Sequence, residues 1–416
     1  MHNSKRHPTR RLPCGFLVFL VFGAALALVM HASVNAQEAA SAAKKSPSPT
    51  EALWVLDGIG DPKNSAAVIP TISIFQGKAL EQKTGIVQSK RIFVNPAAGT
   101  VGGLAFDSSH NLWFSLCPGV SQAGYLIKIN YSEINAVIDR RITSPSEVIG
   151  DPAPQYVEYL SCPGSIAFDQ SGNLWVSVGA NSDPPKAALI EYTATELAVS
   201  GEPTPVAVIA TPNVEATSSI AFDSSGNLWE IGGASSTDSP PLFEWAVLEL
   251  TAAQLAAGDQ TDPYQILIVT TGTYPNSFWS PSSTIFDHYG NLWVVFNTDG
   301  NLASGGVEMF PASELTGEGT STPVPAITIN AALTKGTYDF SSLSSLAFDA
   351  AGDLWVGNSG QVSWKHDYPA GGLSEFAPTQ VAASGGLVPI RMIIPSPNQQ
   401  NMAAARFITF GPPLPQ

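Results

Sequence analysis

In S-S-I-A-F-D, residues 218–223, bulky apolar positions alternate with small ones. That is the period of a strand beside a crowded axis, where one side of each residue has little room. N-L-W-E-I-G (227–232) follows as a second strand, aromatic and β-branched enough to be half-buried. Elsewhere L-I-E-Y (189–192) reads as a third strand, and V-A-V-I (206–209) or I-L-I-V (266–269) as a fourth. Between the third and fourth, Thr193-x-x-Glu196, Thr251-x-x-Gln254 and Asn130-x-x-Glu133 have the spacing of a capping box, which predicts a short helical turn. The unit is four strands and one turn.

The unit recurs. A phrase of the form F-D-x-x-G-N-L-W occurs five times, with aspartates at Asp107, Asp169, Asp223, Asp287 and Asp349, spaced by 62, 54, 64 and 62 residues. A third-to-fourth-strand phrase occurs six times, beginning at Ile72, Leu126, Leu189, Val247, Val307 and Leu373. The missing sixth F-D phrase is divided between the chain ends. A-L-W-V-L-D-G at Ala52 supplies the second-strand half, and F-I-T-F-G at Phe407 supplies the first, with Gly411 where aspartate is expected. Two ends that complete one repeat close a ring, so the sequence predicts an all-β, six-bladed β-propeller of four-stranded blades. Its span is 52–416, after a flexible linker at 37–51 rich in Ala, Ser, Pro and Lys.

D-x-x-G-N is the composition of a tight hairpin. The carboxylate accepts from the turn's own amides, and glycine supplies positive φ. His110 replaces that glycine in one copy, and histidine is among the residues enriched there. A calcium loop is the alternative, although a single acidic residue recurs. Trp54, Trp113, Trp175, Trp229, Trp293 and Trp355 take one place per blade and are expected to pack between blades.

Composition narrows the setting. Lys5, Arg6, Arg10 and Arg11 precede an apolar run from Gly15 to Met30, and Val34-Asn35-Ala36 ends in small residues, so residues 1–36 read as a signal peptide. A retained anchor is the competing reading. Removing the leader leaves 15 basic against 34 acidic residues, a net charge near −19. Nucleic acid and anionic lipid are poor partners for such a surface. Cys117 and Cys162, each in Cys-Pro-Gly, end one blade's second strand and open the next blade's first. Those ends share a face, so in an exported chain a disulfide between adjacent blades is expected, with free thiols the alternative. The setting is then periplasmic or extracellular.

The repeat phrases resemble NHL-type propellers over residues 52–416. They are also distantly similar to virginiamycin B lyase-like propellers, which use histidine and glutamate on one face of seven blades. A further resemblance is to the six-bladed gluconolactonase and regucalcin family, which holds a divalent metal through Glu, Asn and Asp at the channel mouth. In such propellers the ligand face lies opposite the F-D hairpins. The resemblance implies, as one alternative, a metal-dependent lactonase-like hydrolase or lyase, whose single divalent cation would fall to Asn297, Asn358 and Glu230. After the leader, His110 and His288 fall in the hairpins, and His366 alone belongs to the opposite face. No G-x-S-x-G, H-E-x-x-H or phosphate-cradling glycine motif occurs. The first reading is therefore a binding or interaction module without cofactor, with a glycan, peptide or envelope protein as partner. Its candidate contacts are Trp245, Tyr274, Trp279, Trp364, His366 and Asp367, in or beside the longest loops of that face. Aromatic faces with interspersed polar groups suit sugar rings and peptide side chains, although long loops also bury their own aromatics.

Overall fold

The computed structural model describes residues 51–415 apart from 62–63, 82–83, 95–99, 118–122, 143–144, 151–159, 161, 180–187, 211–215, 236–242, 259–262, 269–278, 299–305, 332–342, 359–371 and 395–404. The leader and linker at 1–50 lie outside them. The strands form six antiparallel sheets, one per blade, and the first strands of neighbouring blades contact one another around a complete ring. Blade 2 is Thr100–Phe106, Leu112–Cys117, Tyr125–Ile129 and Glu147–Gly150. Blade 3 is Pro163–Phe168, Leu174–Val178, Ala188–Tyr192 and Ala207–Ala210, and blade 4 is Ala216–Phe222, Leu228–Ser235, Phe243–Leu250 and Gln265–Ile268. Blade 5 is Trp279–Phe286, Leu292–Thr298, Gly306–Phe310 and Ile327–Ala331, and blade 6 is Leu343–Phe348, Leu354–Asn358, Gly372–Phe376 and Arg391–Ile394.

Blade 1 is shared by the chain ends, as the split repeat predicts. Ala52–Asp61, Asn64–Gln76 and Lys90–Phe93 are its outer three strands, and Phe407–Gly411 is its innermost. The register runs from Ala52 opposite Gly411 to Leu56 opposite Phe407. Gly411 departs from the aspartate column for a steric reason: a Cβ there would run into the Phe106 ring. No hairpin follows it either. The tail instead turns away, and the Pro412 carbonyl accepts from Trp54 Nε1 at 3.1 Å.

The core consists of apolar layers between blades. Trp54, Ile72 and Ile92 meet Leu104, Leu112 and Phe114 between blades 1 and 2, and the other five joints repeat the arrangement. Each repeat tryptophan meets the F-D phenylalanine of the next blade edge-on, from Trp54–Phe106 at 5.1 Å round to Trp355–Phe410 at 6.1 Å. These six pairs are the inter-blade packing expected of the tryptophans, and edge-to-face contact suits the ring quadrupoles.

The capping boxes are seen at two of three sites. Thr251 and Gln254 bond reciprocally at the start of helix Ala252–Ala257, and Thr193 and Glu196 do the same before a 3-10 turn at Glu196–Ala198. Asn130 does not cap with its side chain; its backbone N–H donates to Ser146 Oγ instead. The segments after these turns carry a feature the sequence pattern did not predict. Gly319–Ser321, Gly385–Leu387, Gly85–Ile86 and Arg140–Arg141 each add a parallel fifth strand to the outer edge of the preceding blade. Gly201 bridges to Ile149 in the same way. An open edge strand is a template for aggregation, so each lap covers its neighbour's edge.

Candidate functional site

The F-D hairpins form one face, and their geometry is that of scaffold. Asp107 Oδ1 accepts from the Ser109 and Asn111 amides at 2.9 Å, while Oδ2 accepts from Asn111 Nδ2 at 2.9 Å and Trp113 Nε1 at 3.0 Å. Asp223 and Asp287 repeat all four bonds. Asp169 repeats three, and Trp175 Nε1 is left buried without a partner among the described residues. His110 has φ 67°, and Gly172, Gly226, Gly290 and Gly352 have φ of 80–83°. With its acceptor positions filled by the turn itself, the aspartate braces the hairpin and the tryptophan.

On the opposite face the blades differ. Among the described residues the second strand of blade 3 ends at Val178 after 5 residues, whereas those of blades 1, 4 and 5 run to 10, 8 and 7. Cys117 and Cys162 also meet on this face, joined by the expected disulfide between blades 2 and 3, with Cα atoms 4.2 Å apart. Cys162 takes a positive φ of 49° in doing so.

The sequence candidates distribute unevenly. Tyr274, Trp364, His366 and Asp367 lie outside the described residues. Trp279 opens the first strand of blade 5, opposite Thr298. Trp245 lies opposite Gly233 in blade 4, half-buried against the layer containing Trp229 and Val247. Asn297 is opposite Ser280 in blade 5, and Asn358 ends the second strand of blade 6 opposite Leu343. Glu230 sits mid-strand between Ile220 and Leu248, where the other second strands carry Val55, Phe114, Val176, Val294 and Val356. Its register places it on the blade 3 side of blade 4, with Leu228 and Ile220. It is 1% exposed, and neither carboxyl oxygen has a hydrogen-bond partner among the described residues. Burial alone pushes its pKa up to about 8.

An axial channel of about 350 Å³ is lined by all six first strands. One ring of it is Leu104, Ile166, Ile220, Thr284, Leu346 and Ile408, in which the Thr284 hydroxyl has no hydrogen-bond partner. Serines join first strands around the channel: Ser165, Ser219 and Ser345 accept from the amides of Ile220, Thr284 and Ile408 in the next blade. Its walls are thus mixed, apolar side chains interspersed with Ser219, Ser283, Thr284 and Thr409, and three of its joints are tied by serine–amide bonds.

Several acidic groups escaped the sequence reading because they sit inside strand patterns. Glu249 accepts from Asn227 Nδ2 at 2.9 Å, and burial, reinforced by Asp223, raises it to about 7. Burial raises Glu308 likewise to about 7. In blade 6, Asp349, Asp353 and Glu375 bring one oxygen each within 4.8 Å of one another. Arg391 is ion-paired to Glu375 and stands over the Trp355 ring at 5.3 Å. Comparing the repeats column by column would have found this group, since Asp353 stands where the other four copies have asparagine.

These features define a class of protein, the six-bladed β-propeller with ends joined in one blade. No family model matches the sequence, and no curated protein matches it. Solved structures do. A protein of unknown function from Bacteroides caccae is 12% identical with TM-score 0.50, covering 87% of this chain and 99% of that one. The PQQ-bound aldose sugar dehydrogenase of Streptomyces coelicolor is 15% identical with TM-score 0.42, over 75% and 93%. PorZ, a surface component of the type-IX secretion system of Porphyromonas gingivalis, is 14% identical with TM-score 0.38, over 80% and 40%. At these identities the likeness is one of fold.

Proposed function

We propose that the chain is an exported binding module of the cell envelope or extracellular space, holding a glycan, a peptide or an envelope protein on the face opposite the aspartate hairpins. The observation that carries this reading is the unequal extension of that face. Blades 1, 4 and 5 prolong their second strands to 10, 8 and 7 residues around the axial channel, against 5 in blade 3. The hairpin face, by contrast, repeats one short turn five times. Variation laid on a repeated scaffold is where specificity resides in such folds. The aromatic and polar residues of that face's loops, Trp279, Trp364, His366 and Asp367, would make the contacts. Sedimentation with insoluble peptidoglycan, and calorimetry with a panel of soluble polysaccharides and envelope peptides, tests the reading. The double variant Trp279→Ala/Trp364→Ala should bind the active probe at least ~10-fold more weakly, the loss expected when stacking aromatics are removed. Equal binding by the variant would refute this site.

The lactonase-like alternative would use Glu230, whose buried carboxyl has no partner among the described residues, together with Asn297 and Asn358. Elemental mass spectrometry of protein purified without chelators decides between the two. One divalent ion per chain, lost in Glu230→Gln, would replace the binding-module reading with the enzymatic one.

A further inference from the structure

In blades 2 to 5 the asparagine that closes the hairpin donates its Nδ2 to the clamp aspartate, at 2.9–3.0 Å. In blades 3 and 4 the same NH2 group also donates to a third-strand glutamate, Glu191 at 2.8 Å and Glu249 at 2.9 Å. Blade 6 keeps both acceptors, Asp349 and Glu375, but puts Asp353 in the donor's place. A carboxylate cannot donate; a carboxylic acid can, once.

The other charges around Asp353 are accounted for. Arg391 pairs with Glu375. Asp349 accepts from the Ala351 and Asp353 amides at 2.9 Å and from Trp355 Nε1 at 3.4 Å, the ligation of an ionised group. The Asp353 carboxyl is 8% exposed, carries no hydrogen bond among the described residues and has its oxygen toward the other two. From the chain start, Glu51 accepts from the Ala350 amide at 3.1 Å. Helix Lys78–Glu81 contributes Lys78 and Glu81, and Arg406 precedes the innermost strand of blade 1; all three are exposed. Two uncompensated carboxylates this close and this buried do not both ionise.

We propose that Asp353 is held as a neutral carboxylic acid that takes over the asparagine's donor role, making the joint between blades 6 and 1 tighter in mild acid and looser above neutral pH. Trp355, Glu375 and Arg391 share the face that meets blade 1, so the hairpin braces the place where the chain ends close the ring. Desolvation first, then Asp349 and Glu375, raise Asp353 to about 7 against the opposing pull of Arg391. A carboxyl raised on folding stabilises the fold relative to its ionised form below that value, and the contribution is lost as pH climbs from about 4 to about 7.

The experiment is thermal unfolding of the full chain between pH 5 and pH 8.5 for wild type, Asp353→Asn and Asn227→Asp. Restoring the sibling residue should raise the Tm at pH 8 by about 1–2 °C, the shift that ~1 kcal/mol produces in a chain of this length, and by less at pH 5. Installing the acid in blade 4 should lower the Tm more at pH 8 than at pH 5. In the infrared difference between wild type and Asp353→Asn at pH 6, a protonated-acid carbonyl band belonging to wild type alone would identify the proton directly, since Glu230, Glu249 and Glu308 contribute equally to both. A Tm change independent of pH in both variants would overturn the proposal. So would stabilisation of wild type at pH 8 by calcium, zinc or manganese that Asp353→Asn abolishes, because the cluster would then be ligating a cation.

Discussion

The joint between blades 2 and 3 and the joint between blades 6 and 1 occupy equivalent places in one ring and are held differently. At the first, Gly102 and Gly103 allow the inner backbones to close on Pro163 and Gly164, where a Cβ would find carbonyl oxygens at 2.5–2.9 Å. That approach leaves no room for the serine used at other joints. Ser115 on the second strand substitutes, accepting from Gly103 N at 2.9 Å and donating to the Gly164 carbonyl at 2.6 Å. The disulfide then fixes the pair covalently. At the second joint the strand crossing the gap comes from the far end of the chain. There Ser345 accepts from Ile408 N, Phe410 meets Trp355, and Thr84 and Glu51 bond blade 6 from the N-terminal side. The disulfide thus staples a joint that the chain itself crosses, whereas the break in the chain lies inside blade 1, between Phe407–Gly411 and Ala52–Asp61. Cooperative non-covalent packing closes the ring.

The sharpest way to break that comparison is to remove Phe407–Gln416. This deletes the innermost strand of blade 1 and the tail whose Pro412, Pro413 and Pro415 carbonyls accept from Trp54, Tyr131 and Asn135. Apolar layers on both sides open, and a loss on this scale exceeds the ~5–15 kcal/mol net stability of a typical domain. No near-ultraviolet circular dichroism and no cooperative unfolding transition are expected; a folded truncated monomer would refute closure by the C-terminal strand. Cys117→Ser/Cys162→Ser should be milder. The cross-link closes 45 residues of chain, for which loop entropy gives about 4 kcal/mol. The double variant should fold and show a lower denaturant midpoint. A midpoint equal to wild type would mean that the glycine-mediated approach holds the joint unaided.

The joint between blades 3 and 4 is neither stapled nor terminal, and Glu230 burdens it. Glu230→Val installs the residue found in four sibling blades and removes a buried carboxyl unpartnered among the described residues, a change worth roughly 1–3 kcal/mol. Because burial raises Glu230 to about 8, wild type loses stability as pH rises from about 4.5 to about 8, and the variant's gain should be larger at pH 9 than at pH 6. Urea denaturation at the two pH values measures it. Destabilisation by the valine would show that the carboxyl has a partner in solution, and would favour a site there.

The ring was legible because the repeat prints it. Phe407–Gly411 and Ala52–Asp61 were paired from their half-phrases, and the Cys117–Cys162 bridge followed from blade topology. The fifth-strand laps were not legible, since Gly319–Ser321 and Gly85–Ile86 are too short to carry a period and gain their pairing from the neighbouring blade. The buried acids were missed for another reason. Glu249 and Glu308 occupy strand positions that read as solvent-facing until the neighbouring blades are laid against them. The reciprocal half of the box at Asn130 is diverted to Ser146, 16 residues on, which accepts from the Asn130 backbone N–H and donates to the Glu133 carboxylate. Of the candidate contacts, Trp245 lies beside its loop, in strand Phe243–Leu250, and Trp279 opens strand Trp279–Phe286.

The finest distinction lies within the tryptophan column. Trp175 and Trp229 are 2% and 1% exposed, and each meets the next phenylalanine edge-on, at 6.5 and 5.8 Å. They differ at Nε1. Trp229 donates to Asp223 Oδ2 at 3.1 Å, whereas Trp175 donates to nothing among the described residues. Changing either to phenylalanine removes the same ring volume, so the packing losses should nearly cancel in the comparison. What remains is a hydrogen bond to a charged acceptor lost in Trp229→Phe, set against an unpaired buried N–H relieved in Trp175→Phe. Trp229→Phe should therefore cost about 2 kcal/mol more, read from urea midpoints of the two variants. Equal costs would mean that the aspartate clamp serves its hairpin amides and asparagine alone, and that the tryptophan column is held by ring packing.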